Sequence, residues 1–104
     1  MEWKTYTMEE CDRFNGATGI LGRVISICGR ILYNEVKTEE EKNAVLDFED
    51  TYMIMRAKIT MEDTDKIDWI YNEVQPLILG DNPKLTLDYI LKHTNTWENL
   101  LKAV

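Results

Sequence analysis

Residues 17–34 read ATGILGRVISICGRILYN, and wound at about 100° per residue they divide into two unlike faces. Ile20, Leu21, Val24, Ile25, Ile27, Cys28, Ile31 and Leu32 share one wide apolar arc, while Gly19, Gly22, Arg23, Ser26, Gly29, Arg30 and Tyr33 share the other. An arc that wide needs partners on more than one side, so the stretch predicts a central helix with the rest of the chain wrapped around it. The second face is a shallow furrow of small residues with positive rims. Each interior glycine costs roughly 1 kcal/mol of helix propensity relative to alanine, which calls for a packing or binding reason.

The 104 residues leave room for a single domain, 1–104, around one modest core. The apolar run is broken by Arg23 and Arg30, falls short of the roughly 20 residues that span a bilayer, and is preceded by no secretory pattern. The expectation is a cytoplasmic protein without membrane attachment. Cys11 and Cys28 have neither metal-binding nor redox spacing; Cys28 sits on the apolar arc as a core residue and Cys11 reads as a plain thiol. Nineteen acids against 12 bases give a net charge of −7, which disfavours direct binding to nucleic acid phosphates and leaves basic partner surfaces open.

Capping boxes mark two helix starts. Thr7 with Glu10 opens a short helix over residues 8–14, which Asn15 and Gly16 are expected to end or kink before the central helix. Thr38 with Glu41 opens a second helix whose acidic first turn suits the helix dipole. Along it Val45, Phe48, Tyr52, Met55 and Ile59 recur at steps of three and four, a core-facing stripe. Leu46, Met53, Ile54 and Ala57 lie on its other side with Asp47 and Asp50 among them, one turn apart. After a polar turn at 60–64, Ile67, Ile70, Tyr71 and Val74 predict a third helix that Pro76 should stop. The loop PLILGDNPKL follows, and residues 86–101 predict one broken or two short helices, with Asn95 and Glu98 capping the second and Trp97, Leu100 and Leu101 on its apolar side. Trp3 is expected to pack over a core edge or cover a ligand base. His93 is a helix-end residue with no chemistry of its own.

The run EEEKNAVLDFEDTYMIMRAKITMEDTDKIDWIYNEV resembles the second and third helices of MazG-like, all-α nucleoside triphosphate pyrophosphohydrolases, over about a third of the chain. In that family a run like EEIADVYIMLEQL follows a capped acidic start. LDFEDTYMIMRAK has the same pattern, with Asp50 at the family aspartate and Asp47 at the glutamate three before it. Extending the resemblance to the central helix sets ILGRVISI against the family's EExxE helix, so that Gly22 and Arg23 stand at the paired glutamates and Ser26 at the third. The resemblance implies a compact all-α bundle of four to five helices that completes its core as a homodimer or larger oligomer. It also implies carboxylates on both helices holding Mg²⁺. Only Asp47 and Asp50 remain here as metal ligands, a weak set for an ion that takes about six oxygens, and Arg23 adds positive charge beside the ion's place. No other cofactor is implied.

Three readings follow. The first is a catalytically degenerate MazG-like protein that binds, and sequesters, a nucleotide or nucleotide-derived signal through Arg23, Ser26 and Arg30 with Asp47 and Asp50, and with Tyr33 or Trp69 stacking on a base; arginine matches phosphate oxygens bidentately without metal. Such a role suits a phage or mobile-element protein. The second is an acidic inhibitor or interaction protein that meets a protein partner through Glu2, Trp3, Glu9 and Glu10. The third is a surviving Mg²⁺-dependent pyrophosphohydrolase that recruits other acids such as Glu9, Glu10 or Glu49. Beside all three stands a plain packing solution, in which Arg23 or Arg30 pairs with Asp47 or Asp50 across a helix interface and the glycines admit close helix contact.

Overall fold

The computed structural model describes residues 5–93, all of whose regular structure is helical. Helix α1 runs Met8–Asn34 and α2 runs Glu39–Lys58; α3 (Thr64–Trp69), a π-helical turn (Ile70–Val74) and α4 (Gln75–Ile78) follow head to tail as one arm, and α5 is Leu87–Lys92. Four helical arms thus form an all-α bundle among the described residues. The second helix expected near residues 95–101, and Glu2 and Trp3, lie outside them.

Helix α1 is the centre of the bundle. It packs along α2 on one flank and against α3, the π-helical turn and α4 on the other, while α5 packs on α2. Ile20, Leu21, Val24, Ile27, Cys28 and Ile31 are buried as the apolar arc requires, and Ile25 and Leu32 are partly so. From α2 come Val45, Phe48, Tyr52 and Met55, with Ile59 just beyond its end. Ile67, Ile70, Val74 and Ile78 close the opposite side, and Leu85 and Ile90 complete the core. The molecule measures 52 × 30 × 19 Å, only about two helix diameters in its thinnest direction, so the outer faces of α1 and α2 meet solvent.

Both capping boxes form. Thr7 Oγ1 accepts from the Glu10 amide at 3.1 Å while Glu10 Oε1 accepts from the Thr7 amide at 3.1 Å. Thr38 and Glu41 repeat the arrangement at 3.1 and 3.2 Å.

Two expected helix ends do not occur. The chain passes through Asn15 and Gly16 without a break, making α1 one helix of 27 residues. A glycine ends a helix by turning left-handed, and among the described residues only Gly80 has a positive φ, of 89°. Gly16 instead stays helical because the Tyr71 hydroxyl lies where a β-carbon would be and donates to the Arg13 carbonyl at 3.0 Å. The Arg13 guanidinium sits 4.5 Å from the Tyr71 ring centroid and pairs with Asp68 at 2.6 Å. This knot fastens α1 to the third arm, and its contacts outweigh the propensity of one glycine.

Nor does Pro76 stop the third arm, which continues to Ile78. Proline has no N–H and its ring clashes with the carbonyl four residues back. Immediately before it, the Gln75 amide donates to the Ile70 carbonyl five residues back, the wider spacing of a π turn. Pro76 therefore enters at the start of a new α segment, where a missing donor does little harm. The following loop is closed by the Leu85 amide donating to the Leu77 carbonyl at 2.9 Å.

Burial sets the behaviour of the two thiols. Desolvation, helped by the charge of Glu49, pushes the Cys28 thiol from 9.0 up to about 12. A raised folded pKa means the native state holds this proton more tightly than the unfolded chain. Stability is therefore unaffected below pH 9 and should fall between pH 9 and 12, by up to about 1.4 kcal/mol per pH unit. Urea midpoints across that range should drop more steeply for the native sequence than for Cys28→Ala. At pH 8 an alkylating reagent should modify the half-buried Cys11 and spare Cys28 until urea unfolds the chain.

Candidate functional site

The solvent face of α1 carries the residues that the sequence singles out. Arg23, Ser26, Arg30 and Tyr33 are all exposed there, Tyr33 at 89%. Asp47 and Asp50 are exposed on α2. Among the described residues no hydrogen bond or ion pair joins either arginine to either aspartate, so the cross-helix pairing of the packing reading is not formed. Trp69 is partly buried against the core, which leaves Tyr33 as the open aromatic platform.

The glycines of this face do not share one role. Among the described residues nothing lies within 4 Å of a β-carbon built on Gly19 or Gly29, so neither seats one of the described helices. At Gly22 the nearest group is the Arg56 guanidinium, whose Cζ stands 3.5 Å from such a β-carbon. Arg56 projects from the last turn of α2 and lays its long side chain across the seam onto α1. It adds a third arginine to the α1 side of the seam that carries Arg23 and Arg30, in a chain with net charge −7. None of the three guanidiniums has a carboxylate partner among the described residues.

Arg23 and Arg30 stand two turns apart, about 10 Å along the helix axis, with Ser26 and Gly29 between them. A guanidinium presents donors in a planar fork that matches two oxygens of a phosphate or carboxylate. With Arg23 and Arg30 exposed on α1 and Arg56 over Gly22, this side of the α1–α2 seam presents three exposed guanidiniums, a chemistry suited to an anion with several oxygens. Stacking on Tyr33, one turn beyond Arg30, would add a flat aromatic component.

No group of three or more His, Cys, Asp or Glu side chains is placed to hold an ion among the described residues. Asp47 and Asp50 supply two exposed carboxylates at most, and Mg²⁺ takes about six oxygens. Elsewhere, Glu9 lies exposed in the first turn of α1, Glu10 is engaged by its capping box, and Glu49 is half-buried beside Cys28. His93 donates from Nδ1 to the Tyr89 carbonyl, 2.8 Å away, and stacks on the Tyr89 ring, a helix-end role.

Arg56 is the member of the patch that sequence reasoning missed. The four-residue connection 35–38 returns α2 antiparallel along α1, which brings the end of α2 level with the first half of α1. The reach of one long side chain over a glycine is not visible in that register. No helix of the described residues is long and apolar enough to cross a membrane. No protein-family model, no characterised protein and no solved structure matches this chain.

Proposed function

We propose that this protein binds a nucleotide or nucleotide-derived phosphate compound on the outer face of α1 and holds it without efficient hydrolysis. The observation that carries the reading is the set of three arginines, Arg23, Arg30 and Arg56, exposed on two adjoining helices with no carboxylate partner among the described residues. Arginines with no acid to neutralise them, on a strongly acidic chain, favour an external anion. Exposed Tyr33 favours one that carries a base. The resemblance of residues 39–74 to MazG-like proteins adds a second, sequence-level support. Its departures, Gly22, Arg23 and Ser26 in place of acids, favour retention of phosphate over metal-assisted cleavage.

On this reading the arginines clamp phosphate oxygens, Ser26 donates a hydrogen bond, and Asp47 and Asp50 on the neighbouring helix accept from ribose hydroxyls or base amines. The protein acts by lowering the free concentration of its ligand, as a homodimer or larger assembly. The thin slab and its exposed Met8, Tyr33, Met53 and Leu79 favour self-association, which light scattering would measure.

The test is thermal unfolding of the full chain against AMP, ATP and short oligonucleotides, each with and without Mg²⁺. A ligand at a hundred times its dissociation constant adds about 2.7 kcal/mol, several degrees for a chain of this size. Stabilisation in the absence of Mg²⁺ that Arg23→Ala removes supports the proposal. No shift with any compound sinks it. Pyrophosphate release from ATP with Mg²⁺, abolished by Asp50→Asn, would replace it with the hydrolytic reading.

A further inference from the structure

The outer face of α1 and α2 is an apolar strip between two edges of opposite charge. Ile25 and Leu32 on α1 and Leu46 on α2 are only half-buried, and Met53 is 48% exposed. Leu32 and Leu46 line one depression, which marks the seam. Nothing among the described residues lies within 4 Å of a β-carbon built on Gly29, so the strip is open to the approach of another helix.

The charges lie outside this strip. At about 100° per residue, Arg23 and Arg30 stand roughly 160–180° round α1 from Leu32, on the edge away from α2. Passing round α2 from Arg56, which reaches α1, Leu46 comes first, then Asp50 and Asp47 towards the opposite edge. All four residues are exposed, and none has an ion-pair partner among the described residues. Their levels also agree. The helices run antiparallel with Gly22 beside Arg56; counting about 1.5 Å per residue from there, Asp47 comes level with Ile31 and Asp50 with Cys28, on either side of Arg30 and within reach of Arg23.

A second copy can be laid on this face about a two-fold axis in two ways. With the axis across the helices, α1 covers the other α1, so arginine opposes arginine and aspartate opposes aspartate. With the axis along the helices, α1 covers the other α2, every residue keeps its level, and the arginine edge of each copy meets the aspartate edge of its mate. Opposed like charges repel and opposed unlike charges attract. The charges therefore select the second arrangement.

We infer that this face is an interface between two copies of the chain, with α1 of each lying antiparallel on α2 of the other. Arg30 pairs with Asp47 and Arg23 with Asp50 across the two copies, at the edges, and Ile25, Leu32, Leu46 and Met53 form the dry centre. The contact area is about 30 Å, the length of α2, by about 20 Å, two helix diameters. That is the low end for a specific interface, so the dimer should dissociate in the micromolar range. The inference goes beyond the ligand reading and does not rest on it. A guanidinium has five N–H donors and a carboxylate takes two, which leaves donors for a phosphate.

Sedimentation equilibrium of the full chain without nucleotide, across micromolar concentrations, tests this. The native chain should approach twice the 12.2 kDa mass of one copy. Arg30→Glu and Asp47→Arg are both at exposed positions and should leave the helical circular dichroism unchanged. Each alone should weaken self-association at least about tenfold, because like charges then face each other at both edges. Mixed in equal amounts, the two variants should associate with each other as tightly as native chains do, since every edge contact then joins opposite charges. A native chain that stays monomeric throughout overturns the inference and leaves the face to a different protein. So does a dimer that either variant forms at native strength, or a mixture that associates no better than its components. None of these outcomes touches the ligand reading, which nucleotide-dependent unfolding decides separately.

Discussion

Leu21→Ala should lower the free energy of unfolding by about 3–4 kcal/mol, the range expected when a fully enclosed leucine is cut back in a core that relaxes only in part. Leu21 is completely buried on the central helix, which both flanking arms clasp. Domains of this size have stabilities of about 5–15 kcal/mol, so the variant would keep a fraction of its stability and melt more than about ten degrees lower. Urea unfolding followed by circular dichroism measures the loss. Met53→Ala is the control: it removes a similar apolar side chain from the exposed side of α2, where Met53 is 48% accessible, and should change stability by less than about 0.5 kcal/mol. Similar losses for the two variants would mean that the arc of α1 is not the centre of the core.

The contrast between Leu21 and Met53 also shows why the fold was legible before the site was. Burial follows periodicity, and on α1 and α2 the apolar residues at steps of three and four are the ones enclosed. Caps are local, so Thr7 with Glu10 and Thr38 with Glu41 could be read from four residues each. The two misplaced helix ends have the opposite character. Gly16 and Pro76 are breakers by local rule, and each was overridden by something distant or cooperative. Tyr71, fifty-five positions away in sequence, fills the space at Gly16, and a π turn shifts the hydrogen-bond register ahead of Pro76.

The site divides along the same line. That Arg23, Ser26, Arg30 and Tyr33 share an outward face is a matter of helical angle and could be read directly. That Arg56 joins them depends on how two helices align and on the path of a flexible side chain. The reverse error concerns the glycines. Gly19, Gly22 and Gly29 were open to a packing role and Gly16 to a helix end, yet among the described residues only Gly16 and Gly22 have a neighbour near their missing β-carbon, and only at Gly16 must that neighbour move. No periodicity distinguishes a glycine beneath a tyrosine from one facing water.

Gly22→Glu should separate stability from binding. Its β-carbon would stand 3.5 Å from the Arg56 Cζ, an ordinary contact, so the backbone need not move. The helix gains roughly 0.5–1 kcal/mol of propensity, and the new carboxylate lies beside the Arg56 guanidinium, a surface pair worth up to about 1 kcal/mol. The variant should therefore unfold at the same urea concentration as the native protein or a higher one. Its affinity for a phosphate ligand should fall by roughly 30- to 100-fold, because a charge-assisted contact of about 2–3 kcal/mol is lost and the carboxylate repels the phosphate. Gly19→Ala controls for the change in helix propensity, since it adds a β-carbon into open space; it should stabilise the protein by up to about 1 kcal/mol and leave affinity within about threefold. Calorimetry with whichever of AMP, ATP or the oligonucleotides most raises the melting temperature decides the matter. If Gly22→Glu binds that compound as the native protein does, Arg56 takes no part in the site and the basic patch shrinks to the two arginines of α1. If binding falls while stability holds, the place that Gly22 leaves for the Arg56 guanidinium serves a ligand, and the helix propensity given up there is the cost of seating that arginine.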